Sequence, residues 1–198
     1  MAVKLVLYLH GFRSSPQSFK SKLLAQWMTE HGLAKSWACP QLPVSPRESA
    51  ELILRLVRHS GADPRTECAL IGSSLGGHYA TWAAEQLGCR AALLNPATHP
   101  WTDLEKYLGE QPLWHGGGGI VVEPRHLQEL LELRIPAITR PERYYLLAAK
   151  GDEVLDYRDM LAAYPDTHVR LLEGSDHGIS EFADYADEVM AFCLQGGG

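Results

Sequence analysis

The sequence LIGSSLGGHYA, residues 70–80, decides the fold. It begins with the end of an apolar run that starts at Cys68 and passes through a glycine-flanked turn. It then enters an alanine-rich segment from Leu75 to Leu87. A short apolar run bounded by glycine indicates a buried strand, and alanine favours a helix. The stretch therefore predicts a strand, a tight turn and a helix in direct succession.

The centre of this stretch, Gly72 to Gly76, matches the pattern G-x-S-x-G. In that pattern the serine lies on a sharp strand-to-helix turn, and small residues on either side let the two elements approach closely. The serine hydroxyl then stands near a helix N-terminus, which favours developing negative charge. The pattern predicts Ser74, and not Ser73, as a nucleophile. Because glycine and serine are common residues, the same letters also fit an ordinary strand, turn and helix.

Length and composition favour one globular domain, which we predict to span residues 1–198. The chain is 45% hydrophobic and 21% charged, which suits a sizeable core. Its formal net charge is −6, and it has no cluster of Lys and Arg, so we expect neither nucleic-acid nor anionic-membrane binding.

The cysteines and the apolar runs indicate a cytoplasmic protein. The four cysteines are scattered without a C-x-x-C pair, so we expect reduced thiols, no metal site and no cofactor. The apolar N-terminal run is short and leads directly into His10, which favours a first strand over a signal peptide. No apolar run has the length needed to span a bilayer.

Alternating strand and helix patterns predict an α/β fold, with a mainly parallel central sheet and helices on both faces. Ligands of such sheets bind at the carboxyl ends of the strands. Residues 97–139 are predicted to be a small insert that borders this edge. We predict strands at residues 3–9, 36–39, 68–71, 91–94, 144–149 and 168–172. We predict helices at residues 18–31, 46–60, 75–87, 102–108, 124–133, 156–164 and 179–194.

Three loops that follow predicted strands carry Ser74, Asp152 and His177, in that order. This is the Ser…Asp…His order of the α/β-hydrolase fold. A serine hydroxyl is a poor nucleophile at neutral pH, so a histidine must take its proton, and a carboxylate must orient that histidine. We therefore predict these three residues as nucleophile, acid and base of an acyl-transfer site.

Other residues compete for two of these roles. His78 lies on the same helix as the nucleophile, which is a poor position for its base, and His10 is expected to support the first loop instead. Asp156 is the main alternative to Asp152, although its position also suits a helix N-cap. Asp176 adjoins His177 too closely in sequence to reach around to its ring.

An oxyanion hole needs two N–H donors aimed at the developing charge. The residue after the nucleophile, Leu75, is expected to supply one donor. The loop after the first strand is expected to supply the other, from Phe12, with Gly11 allowing the loop to pass close to the substrate.

Several motifs together resemble the YqiA/YcfP-type bacterial esterases, which are small α/β-hydrolases without a large cap. The resemblance runs nearly end to end. It implies a Ser–Asp–His carboxylic-ester hydrolase, with acyl thioesters as further substrates, and its triad positions fall on Ser74, Asp152 and His177. The motifs are residues 7–12, 72–77, 95–97 and 151–157.

Two departures from the family pattern concern the substrate pocket. His78 stands where the family pattern leads us to expect an aromatic residue, and residues 116–119 are four consecutive glycines. We expect His78, His99 and Trp101 to contact a small-molecule ester or thioester, together with Gly11. The alternative for the tryptophan is that it packs the insert onto the core. The residues also leave open a catalytically silent binding module, a peptidase or a perhydrolase on the same fold.

Overall fold

The structure is a computed structural model that describes residues 3–115 and 117–195. Gly116, part of the predicted glycine-rich segment, lies outside the described residues. Six strands form one parallel sheet in the order β2-β1-β3-β4-β7-β8, and β5 and β6 form a separate antiparallel hairpin. The strands are β1 (Leu5–Leu9), β2 (Trp37–Ala38), β3 (Cys68–Ser73), β4 (Arg90–Leu94), β5 (Gly109–Pro112), β6 (Gly119–Val122), β7 (Tyr144–Ala149) and β8 (His168–Leu172).

Helices cover both faces of the sheet. They are α1 (Phe19–Glu30), α2 (Pro46–His59), α3 (Pro64–Glu67), α4 (Leu75–Leu87), α5 (Pro100–Asp103), α6 (Pro124–Glu132), α7 (Tyr157–Ala163) and α8 (Ala186–Leu194). The alternation of side chains along the strands explains this arrangement. In β1, Leu7 faces one apolar cluster with α2, α4, α6 and α7, whereas Val6 faces a second cluster with α1 and α8.

The predicted α/β fold, with a mainly parallel central sheet and helices on both faces, is confirmed. Each of the six predicted strands occurs at its predicted place, within two residues at either end. Every parallel strand turns the same end toward the same edge, so the loops after β1, β3, β7 and β8 meet there.

The insert and the last helix differ from the predictions. The helix predicted at residues 102–108 is instead the short α5 followed by a 3₁₀ turn, Glu105–Tyr107. The β5–β6 hairpin was not predicted, because β5 is polar and exposed and ends at Pro112. The last α-helix begins at Ala186, after a 3₁₀ turn, and not at Ile179. Within the described part of the chain, no helix is long and apolar enough to cross a membrane.

Candidate active site

Ser74 lies between β3 and α4 with φ 54° and ψ −120°, a backbone conformation that costs energy in a residue with a side chain. Two glycines make the turn possible. A Cβ atom on Gly76 would lie 1.9 Å from the carbonyl oxygen of Leu9, and one on Gly72 would lie 2.3 Å from the carbonyl oxygen of Gly76. The sharp turn predicted from G-x-S-x-G is therefore present, and it depends on the absence of these side chains.

Backbone hydrogen bonds hold the turn in this conformation. The Ser74 N–H donates to the carbonyl oxygen of Leu94 at 3.0 Å. The Ser74 carbonyl accepts the N–H groups of Gly77 at 2.8 Å and Ala97 at 3.0 Å. The bonds to Leu94 and Ala97 join the turn to the end of β4 and the segment after it, and the bond from Gly77 joins it to α4. These contacts offset the strain at Ser74.

A chain of hydrogen bonds runs from Ser74 to His177 and on to Asp152. The Nε2 atom of His177 is 3.0 Å from the Ser74 Oγ, and its Nδ1 atom is 2.8 Å from the Asp152 Oδ2. The other carboxylate oxygen of Asp152 accepts the N–H groups of Val154 and Leu155, each at 2.8 Å. The Asp152 side chain is fully buried, so this carboxylate has fixed partners on both oxygens. The arrangement can deprotonate a serine hydroxyl that lies at the mouth of a cavity.

The alternative candidates for the acid and the base do not take part in this chain of hydrogen bonds. Asp156 caps the N-terminus of α7, where its carboxylate accepts the N–H of Arg158 at 2.8 Å. Asp176 binds Ser180 instead of the histidine ring. His10, which is expected to support the first loop, accepts the N–H of Leu42 at 3.0 Å and so connects the end of β1 to residues 40–43.

The loop that carries His177 is fixed by two residues whose role the sequence did not reveal. Asn95, at the end of β4, donates from Nδ2 to the carbonyls of Asp176 and His177 at 3.1 and 3.2 Å. Its Oδ1 accepts the N–H of Ala149, at the end of β7, at 2.8 Å. Glu153 accepts the N–H of His177 at 2.9 Å. The one sequence signal that could have found Asn95 is its position directly after a predicted strand. In the structure its φ is 43°.

Lys20 is a further site residue that the sequence did not reveal. It lies in the first turn of α1, is only 9% exposed, and donates from Nζ to the carbonyl oxygen of Gly178. Burial lowers the pKa of Lys20 to about 8, and the carboxylates of Asp176 and Asp152 oppose that shift.

The two predicted oxyanion donors face the same cavity as Ser74. The N–H of Leu75 belongs to the first turn of α4 and has no acceptor within its helix. The N–H of Phe12 makes no hydrogen bond to the described residues. Gly11 passes close to Ser74, since a Cβ atom there would lie 3.2 Å from the Ser74 Cβ.

The insert contributes one wall of this cavity, which has a volume of about 400 Å³ and is mainly apolar. The Phe12 and Tyr107 rings lie 5.4 Å apart. Arg13 connects the first loop to the hairpin, because its Nε donates to the Pro112 carbonyl at 2.6 Å and its own carbonyl accepts the Trp114 N–H at 2.9 Å. The Arg13 guanidinium also lies 4.0 Å from the centre of the Trp114 ring.

The structure does not bring the other three predicted contact residues to this cavity. His78 and Trp101 line a second cavity of about 40 Å³ behind Ala97. His78 is 6% exposed, its Nε2 has no hydrogen-bond partner among the described residues, and burial lowers its pKa to about 4. His99 is the N-cap residue of α5 and lies near Thr98 and Trp101. Within residues 3–115 and 117–195, no cluster of three His, Cys, Asp or Glu side chains could hold a metal ion.

The sheet order and the sharp turn at Ser74 match the predicted α/β-hydrolase fold, and solved structures confirm this fold. Alpha/beta hydrolase domain-containing protein 10 from mouse is 18% identical, with a TM-score of 0.71 over 94% of this chain and 86% of that one. Est1E from Butyrivibrio proteoclasticus is 16% identical, with a TM-score of 0.69 over 96% and 86%. The esterase domain of a Rhodothermus marinus protein is 19% identical, with a TM-score of 0.67 over 96% and 85%.

The chain belongs to the uncharacterised protein family UPF0227, whose family model matches residues 5–194. This is the YqiA/YcfP family that the motifs resemble, so the predicted family is confirmed.

Proposed function

We propose that this protein is a serine hydrolase that cleaves carboxylic esters through an acyl-enzyme intermediate. The single observation that carries the proposal is the hydrogen-bonded chain from Ser74 through His177 to Asp152, at 3.0 and 2.8 Å. Distances of this length support the roles of nucleophile, base and orienting group that we propose for the three residues. The esterase named among the solved structures with this fold is consistent with the proposal.

The reaction begins when His177 Nε2 takes the Ser74 proton as the hydroxyl oxygen attacks the ester carbonyl. The carbonyl oxygen becomes an oxyanion, which the N–H groups of Phe12 and Leu75 stabilise. His177 then donates its proton to the leaving alcohol, and an acyl group stays on Ser74. Asp152 holds the imidazole in the required tautomer and stabilises its charged form.

Water completes the cycle by the same steps. His177 takes a proton from a water molecule, the hydroxide attacks the acyl carbonyl, and the proton returns to Ser74 as the carboxylic acid leaves. An acyl thioester offers the same carbonyl with a thiol as leaving group, so we propose thioesters as a second substrate class for the same machinery.

The thiols of the protein support a proposal about its location. All four cysteines are free, and three of them are buried. We propose a reducing compartment, the cytoplasm, since oxidising compartments favour paired cysteines.

Substitution of Ser74 tests the proposal, and Ser73 provides a matched control because it lies next to Ser74 and lines the same cavity. We expect Ser74→Ala to lower kcat for 4-nitrophenyl butyrate by at least about a thousandfold, since the acyl-enzyme cannot form. Ser73→Ala should keep kcat within about tenfold of the parent value. A fluorophosphonate probe should label the parent and the Ser73→Ala protein, but not the Ser74→Ala protein. Equal hydrolysis by the parent and Ser74→Ala would refute the proposal, and an unlabelled, inactive parent would favour a silent binding module.

A further inference from the structure

The charge of the cavity wall is opposite to that of the chain. The sequence has 24 acidic and 18 basic residues, with a net charge of −6. The described wall of the Ser74 cavity instead carries Arg13, Lys20 and Lys106, with Asp103 as its one carboxylate. Burial raises the pKa of Asp103, so this carboxylate is harder to ionise than an exposed one. A negatively charged ligand is therefore favoured inside this cavity, although the protein as a whole repels anions.

Lys20 is the cation most enclosed by protein. The residue is 9% exposed, and no carboxylate of the described residues lies within 4.0 Å of its Nζ. The carboxylates of Asp176 and Asp152 act on its charge only from a greater distance. Its one hydrogen bond goes to the neutral carbonyl of Gly178. An ammonium group has three N–H donors, so two are left for other partners. Burial of a cation without an ion pair is costly, and an anion that enters the cavity would offset this cost.

The position of Lys20 shows which part of a substrate it would meet. Gly178 directly follows His177 in the chain, and Lys20 binds its carbonyl. His177 gives its proton to the leaving alcohol, so the alcohol part of an ester lies on this side of Ser74. The apolar side chains of Leu104 and Tyr107, in the insert, line the same cavity and suit the acyl part.

We propose that the substrate is an ester whose alcohol part carries a carboxylate or phosphate group, and that the ammonium group of Lys20 binds this anion. The inference rests on the proposed ester hydrolysis at Ser74 and adds the substrate class. Lys20 acts as a specificity-determining residue, because its charge distinguishes substrates by their leaving group and leaves the acyl-enzyme unchanged.

The test compares two chromogenic esters that differ by one carboxylate on the leaving group, 5-butyryloxy-2-nitrobenzoate and 4-nitrophenyl butyrate. The measured quantity is the ratio of kcat/KM for the anionic ester to kcat/KM for the neutral one. Any effect of the substitution on the His177 loop alters both rates and cancels in the ratio. We expect Lys20→Met to lower the ratio about tenfold, since a hydrogen bond to a charged group is lost.

Two further variants serve as controls. Lys22 lies two residues away on the same helix and is exposed, so Lys22→Met should leave the ratio within about twofold of the parent. Lys20→Arg keeps the positive charge and should retain most of the preference for the anionic ester. An unchanged ratio in Lys20→Met overturns the inference, and so does an equal fall in Lys22→Met.

A measurement on the unaltered protein covers the case in which Lys20→Met does not fold. The leaving alcohols, 5-hydroxy-2-nitrobenzoate and 4-nitrophenol, are compared as inhibitors of phenyl butyrate hydrolysis, which is followed by butyrate release. Stronger inhibition by the anionic alcohol supports the inference, and equal inhibition overturns it. A third ester, 3-butyryloxyphenyl phosphate, compared with phenyl butyrate, gives the same ratio of kcat/KM for a phosphate group. Comparison of the phosphate ratio with the carboxylate ratio shows which anion is preferred.

The outcomes also separate this inference from the proposed function. If Ser74-dependent hydrolysis of the neutral ester is present but Lys20→Met leaves the ratio unchanged, the inference fails and the ester hydrolase stands. If the parent hydrolyses neither class of ester, both fail.

Discussion

Replacement of His78 by phenylalanine should make the protein more resistant to acid. His78 is 6% exposed, and its ring lies 6.0 Å from the rings of Tyr79 and Trp101. Its Nε2 has no partner among the described residues, and burial lowers its pKa to about 4, against a hydrogen bond to the Leu130 backbone that opposes the shift. Phenylalanine keeps a ring of similar shape at this position and does not take up a proton.

The direction of the effect follows from proton binding. A histidine with a lowered pKa in the folded state binds protons more readily in the unfolded state, so acid favours unfolding. The stability that His78 contributes is fully present above its unfolded pKa of 6.5 and is lost as the pH falls toward its folded pKa of about 4. With these two pKa values, the difference in proton binding lowers the unfolding free energy by roughly 2 kcal/mol at pH 5 and roughly 3 kcal/mol at pH 4. The His78→Phe protein should not lose this stability, because phenylalanine binds no proton.

Urea denaturation of the parent and of His78→Phe between pH 8 and pH 4 measures the effect. The difference in unfolding free energy between the two proteins isolates position 78, because every other titrating group is present in both. The variant should gain roughly 2 kcal/mol relative to the parent between pH 8 and pH 5. Exposed His59 provides the control, since His59→Gln replaces a side chain that stays hydrated in both states. A difference between parent and His78→Phe that stays constant across this range would refute the reasoning.

Three further substitutions test how the site is held. Gly76→Ala should reduce the unfolding free energy by about 3 kcal/mol or prevent folding, measured by calorimetry, because the new Cβ atom would lie 1.9 Å from the Leu9 carbonyl oxygen. Asn95→Ala should cost about 3 kcal/mol, or roughly 6–12 °C in Tm, since three hydrogen bonds are lost. Glu153→Ala should lower kcat for 4-nitrophenyl butyrate by about threefold to tenfold with little change in KM, because it frees the N–H of His177. Unchanged Tm for the first two variants, or unchanged kcat for the third, would contradict these roles.

The sheet could be predicted because its signals are local. Buried parallel strands are short continuous apolar runs, and the turn at Ser74 needs glycine at fixed positions. The order of Ser74, Asp152 and His177 along the chain, each after a strand, predicted that they would meet at one edge, and the structure places them within hydrogen-bond distance.

The remaining features depend on contacts between distant segments. Nothing in the sequence near Lys20 shows that its ammonium group reaches Gly178, which lies 158 residues later. The sequence predicts His78 at the substrate because it follows Ser74 by four residues, which is one helical turn. Ser74 is the N-cap residue and has a non-helical backbone, with φ 54° and ψ −120°, so this rule does not apply to the pair, and His78 lines the second cavity. The β5–β6 hairpin lacks the alternation of apolar and polar residues by which half-buried strands are recognised.

The contacts of Arg13 bear on how this protein can be re-engineered. Arg13 follows the proposed oxyanion donor Phe12, and it is bound to the β5–β6 hairpin through both its backbone and its guanidinium. The hairpin and the first loop therefore form one structural unit, although they are about a hundred positions apart in sequence. A chimera that exchanges residues 97–139 for the insert of a relative would remove the Pro112 carbonyl and the Trp114 ring, to which the Arg13 guanidinium binds. Such an exchange should succeed only when the segment after β1 is transplanted together with the insert.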